Sequence, residues 1–388
     1  MNKVSRFDTV VIGLGAMGSA ALYQLSKRGV SVLGIDQFAP PHKFGSTHGD
    51  TRITRQAIGE GEEYVPLALR SYEIWRELET ETGEDLLTIT GGLILGDGKA
   101  NTLHGAGNFL ETTIAAAEKF GIEHDLLAAD ALQKRFPQFR VEPDYIGYYE
   151  PNAGFLRPEK CVEVQLALAG QNGAKVNLNE KVRTIEPLAD GSVKVRTDKA
   201  EYLADKAIVT AGPWIKEIFP EYSSIFKIYR QILYWFDVEG SIDPFLPENF
   251  PIFIVAGDQG HGIYGFPAID GPNGGVKVAF EEYEVETPAD HHREASPAEM
   301  TRAYDEYVSK HLVGLSPKCV KAIPCLYTVT PDSGFVIDRH PEHPQMIIAS
   351  PCSGHGFKHS AAVGEALAEV ATDGKSRFDL NSFKLGRF

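Results

Sequence analysis

Two short segments of the chain place positively charged side chains among small residues. The first, GSTHGDTRITR, covers Gly45–Arg55 and carries Arg52 and Arg55 three positions apart. Because a guanidinium group forms paired hydrogen bonds with an oxyanion, this pattern suits a carboxylate or another anion. The second, SGHGFK, covers Ser353–Lys358, where glycines let backbone N–H groups approach a ligand and the lysine adds charge. An ordinary solvated loop or a strand-to-helix turn is the alternative interpretation.

Lys277 and Glu281 form a third candidate pair, within an otherwise apolar predicted strand. A separation of four along a strand puts both side chains on the same face. Burial of an unpaired ammonium group is costly, so a buried Lys277 would be paired or functional. A surface ion pair between the two residues is the alternative interpretation.

A glycine-rich turn near the start of the chain predicts a dinucleotide-binding site. The segment DTVVIGLGAMG, residues 8–18, combines a predicted buried strand, a turn and the start of a helix, and a second predicted strand ends at Asp36. In this motif Gly13 permits the tight turn, Gly15 lets the backbone approach a pyrophosphate, and Gly18 lets helix and strand pack closely. The helix N terminus faces the phosphates, and Asp36 is placed to accept hydrogen bonds from ribose hydroxyls.

The remaining predicted elements suit an α/β fold with an inserted sheet. A buried strand that ends in a small-residue turn, at residues 204–214, is typical of a segment that returns to a cofactor-binding sheet. Apolar and polar residues alternate over residues 228–285, which predicts a mostly antiparallel sheet suited to substrate binding. Since Gly45–Arg55 follows Asp36, it must run beside the dinucleotide, which favours a functional interpretation of that loop.

The composition is typical of a soluble globular protein with two domains or one large composite domain. The chain has 388 residues, and its net charge of −15 argues against a nucleic-acid partner or an anionic membrane surface. The four cysteines have no CxxC spacing, so neither a metal site nor a disulfide framework is expected, and a reducing cytoplasm is the expected compartment. Polar residues in the first apolar stretch argue against a secretory signal, and no apolar run is long enough for a spanning helix.

Taken together, these segments resemble the monomeric sarcosine oxidase and N-methyltryptophan oxidase family of flavoproteins. The resemblance runs through nearly the whole chain and is carried by GSTHGDTRITRQAIGEGEEYVPLALRSYEIW, IYGFP, GGVKVAF, CLYTVTPDSGFVIDRHPEHP, SGHGFKHSAAVGE and FDLNSFKLGRF. It implies FAD as cofactor and hydride transfer to the flavin from the carbon beside the secondary amine nitrogen of an N-methyl or other N-alkyl amino acid. It also implies that dioxygen is reduced to hydrogen peroxide, that the imine hydrolyses to an aldehyde and an amino acid, and that the enzyme is a monomer.

The resemblance further implies roles for particular residues. Cys325 matches the cysteine that forms a thioether with the flavin, and Lys277 matches the lysine that promotes oxygen reduction. Arg55 and Lys358 match the pair that binds the substrate carboxylate. The other matches are residues packed against the flavin (His48, Thr51, Arg52), residues lining the substrate cavity (Tyr264, His355) and expected cofactor-binding residues (Ser46, Gly354, Gly356, Phe357 and Lys358).

One position departs from the family pattern. Family members carry histidine where this chain has Glu281, and a glutamate four residues after the lysine resembles the fructosyl amino acid oxidases, in which an acid faces the substrate. Glu281 is therefore a candidate substrate-binding residue, and a fructosyl amino acid oxidase is the second functional hypothesis. A flavin-binding protein without oxidase turnover and a nicotinamide-dependent dehydrogenase are the remaining alternatives, and the presence of Lys277 argues against the former.

The predicted fold class is α/β. It consists of an FAD-binding, Rossmann-like domain of the glutathione-reductase type with an inserted α+β substrate domain built on an antiparallel sheet. The FAD-binding domain is predicted to be discontinuous and to comprise residues 1–85, 150–215 and 322–388. Residues 86–149 and 216–321 are predicted to form the substrate domain.

Overall fold

The computed structural model describes residues 5–97, 103–104, 107–256 and 262–388 of the chain. The strands, numbered in chain order, are β1 (Ser5–Ile12), β2 (Val32–Ile35), β3 (Arg52–Thr54), β4 (Leu87–Ile89), β5 (Gly92–Gly96), β6 (Asp125–Ala128), β7 (Ile146–Glu150), β8 (Gly154–Leu156), β9 (Lys175–Asn177), β10 (Val182–Pro187), β11 (Val193–Thr197), β12 (Glu201–Val209), β13 (Lys227–Val238), β14 (Ile252–Val255), β15 (Ile263–Phe266), β16 (Val276–Ala279), β17 (Leu315–Val329), β18 (Val336–Arg339) and β19 (Met346–Ser350). The helices are α1 (Ala16–Lys27), α2 (Val65–Thr82), α3 (Phe109–Phe120), α4 (Ala129–Arg135), α5 (Pro158–Gln171), α6 (Ile215–Ile218), α7 (Pro297–Ala303), α8 (Ser309–His311) and α9 (Ser360–Asp373).

The first sheet carries the glycine-rich turn. β1 lies between β2 and β12 and is parallel to both, while β9 continues the parallel arrangement beyond β2 and β19 runs parallel to β12. The antiparallel strands β10, β11 and β18 complete this sheet. Helix α1 packs against both α5 and α9. Because the inner strands are covered, Val10, Val11 and Ile12 are buried, as expected for a parallel sheet.

The second sheet has the order β17-β13-β16-β15-β14-β5-β7-β6. Neighbouring strands are antiparallel except β14 and β5, which are parallel. The mostly antiparallel sheet predicted over residues 228–285 is therefore confirmed. The division of the chain into domains stays a prediction, and its boundary at residue 322 falls inside β17, whose final residues still pair with β13.

A small third sheet, β3-β8-β4, positions the arginine-rich segment. Arg52 begins β3 and is the Cα partner of Leu156 in β8. Immediately after this strand, the backbone N–H groups of Gln56 and Ala57 donate to the buried carboxylate of Glu150, at 2.6 and 3.1 Å. These bonds fix the direction in which the chain leaves β3, and with it the position of the intervening side chain, Arg55.

No helix in the described part of the chain combines the length and the apolar character that crossing a bilayer requires.

The largest apolar cluster lies beneath α1, α2, α5 and α9, and a second lies on one face of the antiparallel sheet. The largest cluster joins the two sheets, since it includes Ile208 of β12 and Ile254 of β14.

Candidate active site

A cleft of about 1320 Å³, open to solvent, runs along the carboxyl ends of β1, β2, β12 and β19. Open parallel sheets bind ligands at this edge. Many of the predicted cofactor residues line the cleft: Gly13, Gly15, Asp36, Ser46, Gly354, Gly356 and Phe357.

The three motif glycines have different tasks in the fold. Gly13 has a left-handed φ of +87°, and a methyl group there would lie 2.6 Å from the carbonyl oxygen of Thr210. A methyl group on Gly18 would overlap the carbonyl oxygen of Gly13, so Gly18 is needed for close packing behind the turn. Gly15 instead lies on the cleft wall, where the backbone is open to a ligand.

Asp36 is held at the end of β2 by two backbone donors. Its carboxylate accepts hydrogen bonds from the N–H groups of Leu14 and Phe38, both at 2.7 Å. Burial raises the pKa of Asp36, against the lowering effect of these hydrogen bonds. Each carboxylate oxygen keeps a further lone pair, and Asp36 lines the cleft, so a ribose hydroxyl can still donate to it.

The lining of the cleft fits a dinucleotide. Helix α1 begins directly after Gly15, which has no side chain to cap the first N–H groups, and Ala16 and Met17 also line the cleft. A pyrophosphate suits this helix N terminus. The buried hydroxyl of Ser350, also on the cleft wall, has no hydrogen-bond partner among the described residues. FAD would therefore be held by the N terminus of α1, by Asp36 and by polar groups such as Ser350.

The predicted residues His48, Thr51 and Arg52 lie on one tight turn. Gly49 and Asp50 both have left-handed backbone conformations, with φ of +99° and +70°. A side chain at position 49 would be strained at this φ, and its Cβ would lie 2.5 Å from the Leu233 side chain, so glycine is favoured there. The tight backbone therefore brings three chemically active side chains close together.

The ammonium group of Lys277 holds this turn from the side of its carbonyl groups. Its Nζ donates to the carbonyl oxygens of Gly49 at 2.7 Å and Thr51 at 2.8 Å, and to Oγ1 of Thr51 at 3.1 Å. Lys277 is only 2% exposed. Burial and the neighbouring charge of Arg52 lower the pKa of Lys277 well below its ordinary value.

Arg52 connects the turn to the cofactor cleft. Its guanidinium group donates to the carbonyl oxygens of Thr51 at 2.8 Å and Ser46 at 2.7 Å, and lies 3.7 Å from Sγ of Cys325. His48 is buried on the same turn, and burial together with the charge of Arg52 lowers the pKa of His48 to about 3. The imidazole of His48 is therefore neutral at physiological pH.

Cys325 is buried in β17 beside the cleft. Its sulfur lies 3.7 Å from the carbonyl oxygen of Ser46, a residue of the cleft wall. Burial raises the pKa of the Cys325 thiol, although the charge of Arg52 acts in the opposite direction. The sulfur of Cys325 thus lies between Ser46 and Arg52, a position that is compatible with the predicted attachment of the flavin.

A second cavity, of about 530 Å³, adjoins the cleft. Arg52, Tyr327, Gly354 and Phe357 line both spaces, so a ligand in the second cavity lies against one end of the cleft. The predicted residues that the structure brings together around this cavity are Arg55, Tyr264, Lys277, His355 and Lys358.

An acid that the sequence analysis did not single out lies at the centre of the cationic site. The carboxylate of Glu60 is 2.6 Å from the guanidinium group of Arg55 and 3.3 Å from Nζ of Lys358. Burial acts to raise the pKa of Glu60, but the two cations hold it well below its ordinary value. The available signal was an acid between two glycines, five residues after Arg55.

The interpretation of Lys277 and Glu281 as a surface pair is wrong. Strand β16 ends at Ala279, so the strand spacing does not extend to Glu281. The carboxylate of Glu281 instead contacts the imidazole of His104. It also accepts a hydrogen bond of 3.3 Å from the backbone N–H of His104. His104, which no motif marked, lines the second cavity, and its Nε2 lies 3.8 Å from Glu60.

Tyr264 and His355 complete the cavity walls. The hydroxyl oxygens of Tyr264 and Tyr327 are 2.9 Å apart and form a hydrogen bond. Nε2 of His355 is 3.0 Å from the carbonyl oxygen of Ser333, and burial lowers the pKa of His355 to about 3. Tyr264 and His355 thus add two neutral aromatic side chains to the cavity that Arg55 and Lys358 also line.

Comparison with known proteins identifies the class to which this fold and site belong. The sequence profile described as FAD dependent oxidoreductase matches residues 8–370. The chain belongs to this family, and FAD is accordingly its cofactor.

Among curated proteins, the chain is similar to monomeric sarcosine oxidase of Streptomyces avermitilis, with 39% identity over 97% of this chain and 96% of the relative. It is 35% identical to N-methyl-L-tryptophan oxidase of Escherichia coli (strain K12), over 99% of this chain and 100% of that protein. These relatives confirm the family resemblance inferred from the motifs.

Solved structures agree on the fold. NikD, described as an unusual amino acid oxidase essential for nikkomycin biosynthesis, superposes with a TM-score of 0.81 at 22% identity, covering 98% of this chain and 97% of that one. Fructosyl amine:oxygen oxidoreductase from Aspergillus fumigatus superposes with a TM-score of 0.75 at 17% identity, covering 99% of this chain and 90% of that one. At these identities the likeness concerns architecture only.

Proposed function

We propose that this protein is an FAD-dependent oxidase of N-methyl or related N-alkyl amino acids. The observation that carries the proposal is the buried pair Arg55 and Lys358 in a cavity that shares a wall with the cofactor cleft. A carboxylate bound there would place the substituted α-nitrogen at the shared wall, next to Arg52 and Lys277. The two curated relatives named for N-methyl amino acids support this substrate class.

Substrate binding would begin with an exchange of carboxylates. Glu60 already pairs with Arg55 and Lys358, so a substrate carboxylate would replace it between the two cations. The charge-assisted hydrogen bonds then fix the amino acid in one orientation, which lowers the entropic part of the barrier. The positive charges of Arg52 and Lys277 disfavour the protonated form of the amine, which must be neutral to release hydride.

FAD held in the cleft would supply the acceptor for a hydride from the carbon beside the amine nitrogen, and dioxygen would take up the two electrons as hydrogen peroxide. The imine product then adds water and separates into an aldehyde and an amino acid. Lys277 supplies a fixed positive charge where negative charge develops on oxygen, and Arg52 supplies a second one at the cleft wall. We also propose that the enzyme is monomeric and cytoplasmic, as the sequence analysis expects.

A substrate panel tests the proposal. Purified holoenzyme under air should produce hydrogen peroxide with sarcosine, N-methyltryptophan or another N-methyl amino acid. Absence of peroxide with every N-methyl amino acid would exclude the methyl-group version. Peroxide from fructosyl-glycine or fructosyl-valine alone would favour the fructosyl amino acid alternative. Flavin that is reduced by these substrates and stays reduced in air would indicate a flavin-binding protein without oxidase turnover.

Glu281 bears on the choice between these substrates. It prompted the fructosyl amino acid hypothesis, yet His104 rather than Glu281 lines the described cavity. Since the Glu281 carboxylate contacts both the imidazole and the backbone N–H of His104, it has less capacity to accept hydrogen bonds from sugar hydroxyls. This contact favours the hypothesis that the substrate is an N-methyl or N-alkyl amino acid.

Substitution of Cys325 by serine is expected to release the flavin. In the native enzyme the yellow colour should stay with the acid-precipitated protein, because we propose a thioether at this sulfur. In the Cys325→Ser variant the colour should move to the supernatant. Cys352→Ser is the matched control, since Cys352 is a second cysteine at the cleft and lines its wall. Colour that stays with the precipitated Cys325→Ser protein would contradict the attachment site.

Affinity for the substrate carboxylate is expected to fall as the pH rises above about 8. Burial, partly offset by Glu60, lowers the pKa of Lys358 to about 8. The cationic form of Lys358 is present below this pH and lost above it, so the site loses one of its two cations as the pH rises. The dissociation constant of a small carboxylate competitor, followed by flavin absorbance over a pH series, measures the effect. A Lys358→Met variant should bind more weakly and lack the inflection; an inflection that persists in this variant would assign it to another group.

A further inference from the structure

The turn Gly49–Thr51 is also held from the side of its N–H groups, by Glu159. Helix α5 begins at Pro158, and Glu159 is its second residue, a position where the helix dipole favours a carboxylate. Oε1 of Glu159 accepts hydrogen bonds from the backbone N–H groups of Gly49, at 2.6 Å, and Asp50, at 3.2 Å. Lys277 binds the carbonyl groups of the same turn. The two side chains therefore fix a left-handed turn between opposite charges.

The ammonium form of Lys277 can donate all three of the hydrogen bonds seen at its Nζ. An ammonium group has three N–H donors, whereas a neutral amine has only two. All three donors of Lys277 are used, two by backbone carbonyl groups and one by the Thr51 hydroxyl. Burial of this charge is costly, so a nearby carboxylate is needed to offset it.

Two carboxylates, those of Asp50 and Glu159, are close enough to Lys277 to provide that offset. The charged or titratable groups around Lys277 are Arg52, Asp50 and His48 of the turn, Glu159 of α5, Cys325 of β17 and, on the same Trp235 ring, Lys321. Asp50 already forms an ion pair with Lys321. Glu159 forms no ion pair with any residue in the described part of the chain. Its negative charge is therefore balanced mainly by the positive charges of Lys277 and Arg52.

We propose that Glu159 is a positioning residue for the oxygen reaction: its carboxylate holds the Gly49–Thr51 turn opposite Lys277, and its charge keeps Lys277 in the ammonium form. The role of Glu159 in the oxygen reaction rests on the proposed function. It extends that function by assigning a role to a residue outside both cavities.

The Glu159→Gln variant tests the charge separately from the hydrogen bonds. Its amide oxygen can still accept from Gly49 and Asp50, but it is neutral. The protonation of Lys277 is read directly, by NMR of protein labelled with ¹³C at the lysine ε-carbon, with the Lys277 signal assigned by its loss in Lys277→Met. We expect the titration midpoint of Lys277 to fall by about one pH unit in Glu159→Gln, from the loss of one nearby charge.

Glu163→Gln is the matched control. Glu163 lies one turn further along α5, is exposed and pairs with Lys160 at 3.2 Å. This control should leave the Lys277 midpoint unchanged. An identical midpoint in wild type and Glu159→Gln would overturn the proposal, as would an equal shift in Glu163→Gln. If Glu159→Gln is poorly folded, as judged by thermal unfolding, Glu159→Asp retains the charge and should keep the wild-type midpoint.

The oxygen part has its own measurement. The rate of reoxidation of the reduced holoenzyme in air should fall as the pH rises. The midpoint of this fall should lie at a lower pH in Glu159→Gln than in wild type, while the rate of reduction by substrate is unchanged. If both reactions slow equally, Glu159 is merely structural and the inference fails. If Lys277→Met reoxidises at the wild-type rate, the proposed function of Lys277 fails, and the NMR midpoint alone then decides whether Glu159 controls its charge.

Discussion

Replacement of Lys277 by methionine is expected to slow the reaction of the reduced enzyme with dioxygen by about 10²–10³-fold, the usual effect of removing one preorganised electrostatic group. Methionine keeps most of the apolar chain and removes the ammonium group, which lies 5.3 Å from the centre of the Trp235 ring and 4.3 Å from that of Phe266. Reduction of the flavin by substrate should change much less. Stopped-flow absorbance, with substrate added anaerobically and air admitted afterwards, separates the two reactions.

Two companion variants interpret this result. Lys277→Arg retains a positive charge and should retain part of the oxygen reactivity. Lys321→Met removes a lysine that contacts the same Trp235 ring but binds Asp50 instead of the carbonyl groups of the turn. It should behave like wild type. Reoxidation of Lys277→Met at the wild-type rate would refute the role of the ammonium group, and equal losses in both reactions would point to a displaced turn.

Replacement of Arg55 by methionine is expected to weaken binding of the substrate carboxylate by about 30- to 5,000-fold, the range for truncating one partner of a buried charge pair. Arg55 and Lys358 both lie close to the carboxylate of Glu60, which marks where an anion binds. The expected change is mainly in KM and in the dissociation constant of a carboxylate competitor, measured by flavin absorbance. A dissociation constant within a factor of about two of wild type would contradict the proposed carboxylate site.

The Arg55→Met variant also leaves Glu60 with one cation fewer in a buried site, which is destabilising in itself. The double variant Arg55→Met, Glu60→Gln removes this excess negative charge. It should recover thermal stability without recovering wild-type affinity. Recovery of both would show that Arg55 matters through folding and not through the substrate.

The local parts of the site were the ones that sequence reasoning predicted well. Gly13, Gly15 and Gly18 act within a single strand–turn–helix unit, so their spacing already contains their geometry. Arg55 and Lys358 were paired only through the family resemblance, because they are far apart in the chain and no spacing rule relates them. Their position around one cavity follows from the packing of β3 against the segment that precedes α9.

Charge pairing was the part that spacing predicted badly. Lys277 and Glu281 are close in sequence, yet β16 ends between them and each finds a distant partner. Lys277 binds the Gly49–Thr51 turn, and Glu281 binds His104. A buried charge is stabilised by whichever opposite charge or dipole the fold brings within hydrogen-bond distance, and that choice is not encoded in neighbouring positions.

By itself, the sequence determined the dinucleotide motif, the two kinds of sheet and the family, since each depends on local periodicity, on glycines with defined backbone needs or on motifs that extend along the chain. Only the tertiary structure decided that Glu60 lies between Arg55 and Lys358, and that Glu159 and Lys277 hold one turn from opposite sides. The physical reason is that electrostatic interactions in a buried site depend on distances in space, and residues far apart in the chain set those distances only once the sheets and helices have packed.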